Sequence, residues 1–209
     1  GGMAGGLLPH HPPQAMFRHS LPALVSLLLL TLALVPRVKA QETAPRIPTT
    51  FELEVDPLAY LMNGYSVHAI YAPGHLRFDL GVYGLELPEG LRTNEGFGTR
   101  HSGYGLKVNY SFRGIKSLFV GVGTGYSTEE ATHLESGVTA TGHTVGVGVQ
   151  VGYRFFLMKD ANGQPRGLYL APWIGLDRNF HVDEVQFNGL AYKQSDWQPF
   201  PTVHIGYRF

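Results

Sequence analysis

The segment GHTVGVGVQVGYRFF, residues 142–156, decides the fold. Its odd positions Val145, Val147, Val149, Val151, Tyr153 and Phe155 are large and apolar. Its even positions Gly146, Gly148, Gln150, Gly152 and Arg154 are small, polar or charged. Side chains of a strand point alternately to its two faces, so this is a strand with one greasy face. A soluble sandwich would bury that face and wet the other. Here the second face is too glycine-rich and ionic for an open solvated surface, and it suits the crowded interior of a barrel.

Working outward, the same period predicts eight strands, at roughly residues 51–60, 65–72, 75–85, 103–112, 117–126, 142–156, 168–179 and 200–209. Each approaches the 9–11 residues that a tilted strand needs to cross a hydrocarbon layer. Connections alternate in length. Ala72-Pro73-Gly74, Arg113-Gly114-Ile115-Lys116 and residues 159–167 are turn-like, whereas 86–101, 127–141 and 180–199 are longer and polar. On the long-loop side, only the connection around Met62-Asn63-Gly64 is short. Short turns at one end and long loops at the other are the layout of bacterial membrane barrels. The fold expected is all-β: an eight-stranded antiparallel up-and-down transmembrane barrel over residues 51–209.

The polar face gathers Glu52, Glu54, Asp56, Asp79 and Asp177 against Arg77, Lys107, Arg154 and Arg208, with His68 among them. Such balance is expected of charges that pair inside a narrow barrel away from bulk water. An eight-stranded interior is just wide enough to be filled by side chains, so a plugged barrel is expected rather than an open pore.

Composition agrees. Charged residues are 15% of the chain, below the roughly 25% of soluble domains, and there are 27 Gly and 12% aromatics. A formal net charge of zero gives no global field toward nucleic acid. The absence of cysteine excludes disulfides, thiolate metal sites and a lipid anchor on Cys.

Residues 1–15 read as an unstructured leader, and 16–40 as a cleaved secretory signal peptide. Arg18 and His19 precede an apolar run from Leu21 to Val35, and Val38 and Ala40 occupy the small-residue cleavage positions. That run, about fifteen residues, is shorter than a membrane-spanning helix. Residues 41–50 form a short linker.

The segment PFPTVHIGYRF, residues 199–209, sets Val203, Ile205, Tyr207 and Phe209 in alternation with His204, Gly206 and Arg208. It resembles the terminal signature of bacterial outer-membrane barrels, in the manner of the small eight-stranded OmpA/OmpX-type barrels. That resemblance implies recognition of Val203, Ile205, Tyr207 and Phe209 by the barrel-assembly machinery. It also implies a Gram-negative outer-membrane location among outer-membrane lipids and lipopolysaccharide. A monomer is expected, with no nucleic-acid partner, no cofactor, and no peptidoglycan-binding domain after Phe209.

For chemistry, two Ser/His pairs stand out. His101 and Ser102 are adjacent and face opposite sides of a strand, whereas Ser66 and His68 share a face. The His-x-Ser order of lipid A deacylases, among the barrels that modify lipids, is reversed at Ser66 and His68. Glu129, Glu130, His133 and Glu135 crowd one outer loop but match no metal motif. The glycine runs at 121–125 and 146–148 lack the strand-to-helix context of phosphate loops. They read as room for neighbouring Tyr83, Phe119 and Trp173. Trp197 and Tyr192 read as girdle or loop-packing residues. The function expected is a non-enzymatic barrel with a role in envelope structure or surface interaction through its outer loops. A lipid-modifying barrel enzyme and a narrow, porin-like channel for small solutes are the alternatives, and no catalytic, cofactor or metal residues are assigned.

Overall fold

The computed structural model describes residues 48–112 and 117–209. The expected leader (1–15) and signal peptide (16–40), residues 41–47 of the expected linker, and residues 113–116, where a turn is expected, lie outside the described residues. Nine strand segments form one antiparallel sheet: β1 (Thr50–Val55), β2 (Tyr65–Ala72), β3 (Leu76–Glu86), β4 (Phe97–Ser111), β5 (Leu118–His133), β6 (Thr139–Tyr153), β7 (Phe155–Lys159), β8 (Pro165–Asp183) and β9 (Trp197–Arg208). The sheet order runs from β6 down to β1, then β9, β8 and β7, and β6 also pairs with β8. That last pairing closes the ring.

β6 and β7 are one stave in two pieces, because both pair with β8 in a single register across Gly152↔Trp173 and Phe155↔Leu170. The interruption falls opposite Pro172, which has no N–H to give to the ladder. The barrel therefore has eight staves.

Its geometry follows from the ladders. One circuit along paired residues runs from Arg208 through Glu52, Ile70, Asp79, Lys107, Gly123, Gly148 and Asp177 to Gln198. It returns to β9 ten residues from its start. Eight staves with that stagger require a strand tilt of about 40° and leave an interior filled by side chains.

The alternation becomes two surfaces. Phe51, Leu53, Val67, Leu80, Val82, Leu106, Val122, Val149, Ile174 and Val203 face outward and are exposed, while Glu52, Glu54, Asp79, Arg77 and His204 are buried inside. Exposed aromatics form two bands. Phe51, Tyr71, Phe78, Tyr110, Phe155 and Tyr207 lie toward the tight turns, and Tyr60, Tyr65, Tyr104, Phe180 and Trp197 toward the long connections. An apolar belt between aromatic girdles is the outer surface of a membrane barrel.

Three expectations are corrected. The first strand ends at Val55 rather than Tyr60, and Pro57–Leu61 is a short helix, α1. Asp56 caps it by accepting from the Leu58 N–H at 2.9 Å, and Pro57 sits in its first turn, where an N–H has no partner to miss. The outer loops are also shorter than the sequence suggests, because β4, β5 and β8 run on through Phe97–Ser102, Ser127–His133 and Phe180–Asp183. Finally, the turn after β7 is tighter than residues 159–167, since β8 starts at Pro165.

Candidate functional site

The interior is built in layers. Toward the tight turns lies an ionic plug whose hub is Glu52, 1% exposed. Its carboxylate lies 2.7 Å from Arg77 Nη2, 2.6 Å from Arg208 Nη2 and 3.5 Å from Arg154 Nη1. The fully buried Tyr169 hydroxyl lies 2.7 Å from both Glu52 Oε2 and Glu54 Oε1. Arg77 also reaches Glu54 at 2.6 Å, and His204 Nδ1 holds the other Glu54 oxygen at 2.9 Å. Arg154 lies over the Phe119 and Phe156 rings and donates to Ser111 Oγ. Asn109 bonds Gln150 beside them.

Above the plug the side chains change character. Ser66 Oγ lies 3.2 Å from His68 Nε2, and His68 Nδ1 lies 2.8 Å from Asp79 Oδ1. All three are buried. Ser66 and His68 share a face of β2, and the pairing His68↔Gly81 places Asp79 diagonally across on β3. Gly81 carries no side chain there, and the imidazole occupies the space that a Cβ would take. An ionised Asp79 only accepts, so it fixes the proton on His68 Nδ1 and leaves Nε2 to accept from Ser66. Lys107 Nζ stands 3.9 Å from Asp79 and 4.5 Å from the centre of the Trp173 ring. Asp56 accepts from Thr202 Oγ1 at 2.7 Å, and the His68 and His204 rings are 4.8 Å apart.

Beyond this layer one side of the inner wall loses its side chains, while Tyr83 reaches in from β3 beside Gly103. Gly105, Gly125 and Gly146 lie side by side across β4, β5 and β6. The nearest side-chain atom to any of their missing Cβ positions is Asn179 Oδ1, 3.5 Å from that of Gly146. Below them the patch ends, because the space beside Gly123 and Gly148 is taken by the side chains of Lys107 and Asp177.

The outer end is covered by its loops. Phe97, Phe187 and Tyr192 pack with ring centres 5.0–5.9 Å apart, and Val185 is buried beside Gly142. Asn94 and Lys193 exchange two hydrogen bonds, at 3.0 and 2.9 Å. Tyr192 donates to Glu129, and Gln194 donates to the same carboxylate at 2.9 Å. Burial and the Glu129 carboxylate raise the Tyr192 hydroxyl above the ordinary phenol range, so it stays a donor.

Every residue expected in the polar network faces inward, with Asp177 half-buried at its upper edge. Ser66, His204, Thr202 and Tyr169 belong to the interior as well. Of these, His204 carried a sequence signal, because it shares the polar face of the last strand with Arg208. His101 and Ser102 face opposite ways. The acidic group does not converge: Glu129 turns inward, Glu130 and Glu135 are exposed, and His133 bonds Ser136. Among the described residues no cluster of three metal-ligating side chains forms.

No protein-family model and no curated protein sequence matches the chain. Among solved structures it is similar to Neisserial surface protein A, with 12% identity and a TM-score of 0.48 over 77% of this chain and 96% of that one. It is also similar to a major outer membrane protein from Thermus thermophilus, with 18% identity and a TM-score of 0.44 over 78% of this chain and 100% of that one.

Proposed function

We propose that this chain is a monomeric barrel of a Gram-negative outer membrane, surrounded by membrane lipid and lipopolysaccharide. It would serve the envelope as a sealed scaffold that presents its outer loops for surface interaction. The observation that carries this reading is the Glu52 hub: three arginines and Tyr169 close on one buried carboxylate and fill the lumen. A pore would need water along that path, and the plug leaves Glu52, Arg77, Arg154 and Tyr169 buried, with Arg208 part-exposed at its edge. The exposed apolar belt has no use in water and is stabilised by lipid. Delivery by the assembly machinery rests on the terminal pattern Val203, Ile205, Tyr207 and Phe209, whose side chains all face outward.

The experiment is envelope fractionation with gel mobility before and after boiling, followed by planar-bilayer recording. Outer-membrane recovery, a boiling-dependent shift and no discrete conductance steps are expected. Recovery as a soluble protein with no shift overturns the membrane placement, and steady unitary conductance overturns the sealed scaffold.

A further inference from the structure

One side of the barrel wall is not made of strand. The β1–β2 ladder ends at Val55↔Val67, so Tyr65 and Ser66 have no partner on β1. The β1–β9 ladder covers only Glu52–Val55 against Ile205–Arg208, so Trp197–His204 pair with β8 alone. Between these two unpaired edges stands α1, a helix of five residues. Phe209 N–H donates to Phe51, so the odd residues of β9 aim their N–H groups at the β1 side. Pro199 and Pro201 share that parity. The upper edge of β9 thus lacks donors at positions 199 and 201, leaving Val203 and Trp197 as the residues of that parity that keep an N–H, which hinders the edge from being zipped shut.

Ser66 stands on the rim of this gap. The Tyr60 hydroxyl of α1 reaches the Ser66 carbonyl at 3.5 Å, and inside the gap Ala59 presents only a methyl group. Tyr60 and Tyr65 place the rim in the outer aromatic band, the level where lipid acyl chains meet their head groups. An apolar groove on the outer surface begins at Leu58 and passes Pro201, Thr202 and Val203. The plug closes the way from the turn end and the tied loops close the way from outside.

We propose that Ser66, His68 and Asp79 form a serine-hydrolase site for the carboxylic esters of membrane lipids, which enter sideways between α1 and β9. This goes beyond the scaffold reading, replaces the non-enzymatic expectation, and rests on the membrane placement for its substrate. Ser66 Oγ attacks the ester carbonyl carbon while its proton passes to His68 Nε2. The acyl C–O bond then breaks, and His68 returns that proton to the departing alkoxide. Water repeats the sequence in reverse roles, releasing a fatty acid and restoring Ser66. Asp79 holds the imidazole and balances its positive charge. The glycines at 105, 125 and 146 put no side chain of their own on that stretch of inner wall, which is where the acyl chain would lie.

The test uses the refolded full barrel in mixed micelles with a fluorogenic phospholipid, beside a water-soluble p-nitrophenyl butyrate assay and a fluorophosphonate label. Labelling and lipid turnover are expected, both lost at least about 10³-fold in Ser66→Ala. Because the chain has no cysteine, thiols introduced as Leu58→Cys with Val203→Cys can be joined selectively. Cross-linking should abolish lipid turnover and reductant should restore it. A boiling-dependent mobility shift of each variant separates loss of chemistry from loss of fold. A shifted, membrane-borne barrel that neither labels nor turns over either ester overturns the hydrolase while leaving the scaffold standing. Turnover of the soluble ester alone, or lipid turnover indifferent to the cross-link, overturns the lateral route.

Discussion

Replacing Glu52 with glutamine keeps the volume of the side chain and removes the one anion that three arginines share. Arg77 retains Glu54, at 2.6 Å, but among the described residues Arg154 and Arg208 have no other carboxylate within ion-pair distance. Arg154 is the more exposed to the loss, since its Nε and Nη1 already lack hydrogen-bond partners and the residue is 2% exposed. Breaking a buried ion pair by removing one partner costs about 3–5 kcal/mol, because the remaining charge stays desolvated. With a urea slope of about 2 kcal/mol/M, that moves the unfolding midpoint down by roughly 1.5–2.5 M. The assay is urea unfolding of the barrel in vesicles, read as the fraction that still shows the boiling-dependent shift. Glu52→Gln combined with Arg154→Met should recover part of the loss, since the stranded charge leaves with its partner. Two results refute the reasoning: a Glu52→Gln midpoint within about 0.5 M of wild type, or no recovery in the double variant.

Other consequences follow from single contacts. A methyl group at Gly64 would overlap the Gly84 carbonyl oxygen and press on the Leu85 Cα. Gly64→Ala should therefore cost about 1–3 kcal/mol and lower the folded yield on the same gels. Asp56→Ala removes the cap of α1 together with its bond to Thr202, at a cost of about 1 kcal/mol. Hydrogen exchange at Met62 and Gly64, whose N–H groups bond back to α1, should quicken about fivefold while the β4–β5 ladder is unchanged. On the outer surface, the hydrogen bond and charge of Arg178 hold the Asp196 carboxyl below its ordinary value, with His181 adding to it. A depressed folded value means that this tie is complete above the unfolded pKa, near 4, and is lost as pH falls through the lower folded one. Proteolysis of residues 184–196 should accelerate on acidification below pH about 4, and Asp196→Asn should show the faster cleavage already at neutral pH.

The alternation in residues 142–156 is enough for the barrel because lipid demands it: an outward position that is not apolar is costly along the whole belt. The same demand explains what cannot be read. Once β4 and β5 rise past the bilayer their outward positions are free to be polar, as at Arg100, Thr128 and Glu130, so period two loses the half that makes it visible. The strands at Phe97–Ser102 and Ser127–His133 therefore look like loop in the sequence. Ser66 and His68 are legible as a pair on one face. Asp79 is not legible as their third member, because its place depends on the register His68↔Gly81, and a register belongs to two strands at once. Tyr169 is hidden for a related reason: an aromatic between Leu168 and Leu170 looks like part of a girdle until its hydroxyl is found on two carboxylates.

The end of β1 is written in the sequence, in a signal that competes with the alternation. Asp56-Pro57 is a helix start, a capping carboxylate followed by a residue with fixed φ and no N–H. Solvation decides between the two readings. Had β1 continued as a strand, its parity would have sent Leu58 and Tyr60 inward among Asp56, His68 and His204, and Ala59 outward. As a helix, the segment exposes Leu58, Tyr60 and Leu61 to the apolar surroundings and buries Ala59 alone. The helix thus places each apolar group where the bilayer would stabilise it, and the strand would have desolvated charged groups against leucine. A wall that stops at Val55 is the consequence, and the unpaired edges of β2 and β9 follow from it, with Ser66 at one rim and Pro199 and Pro201 along the other.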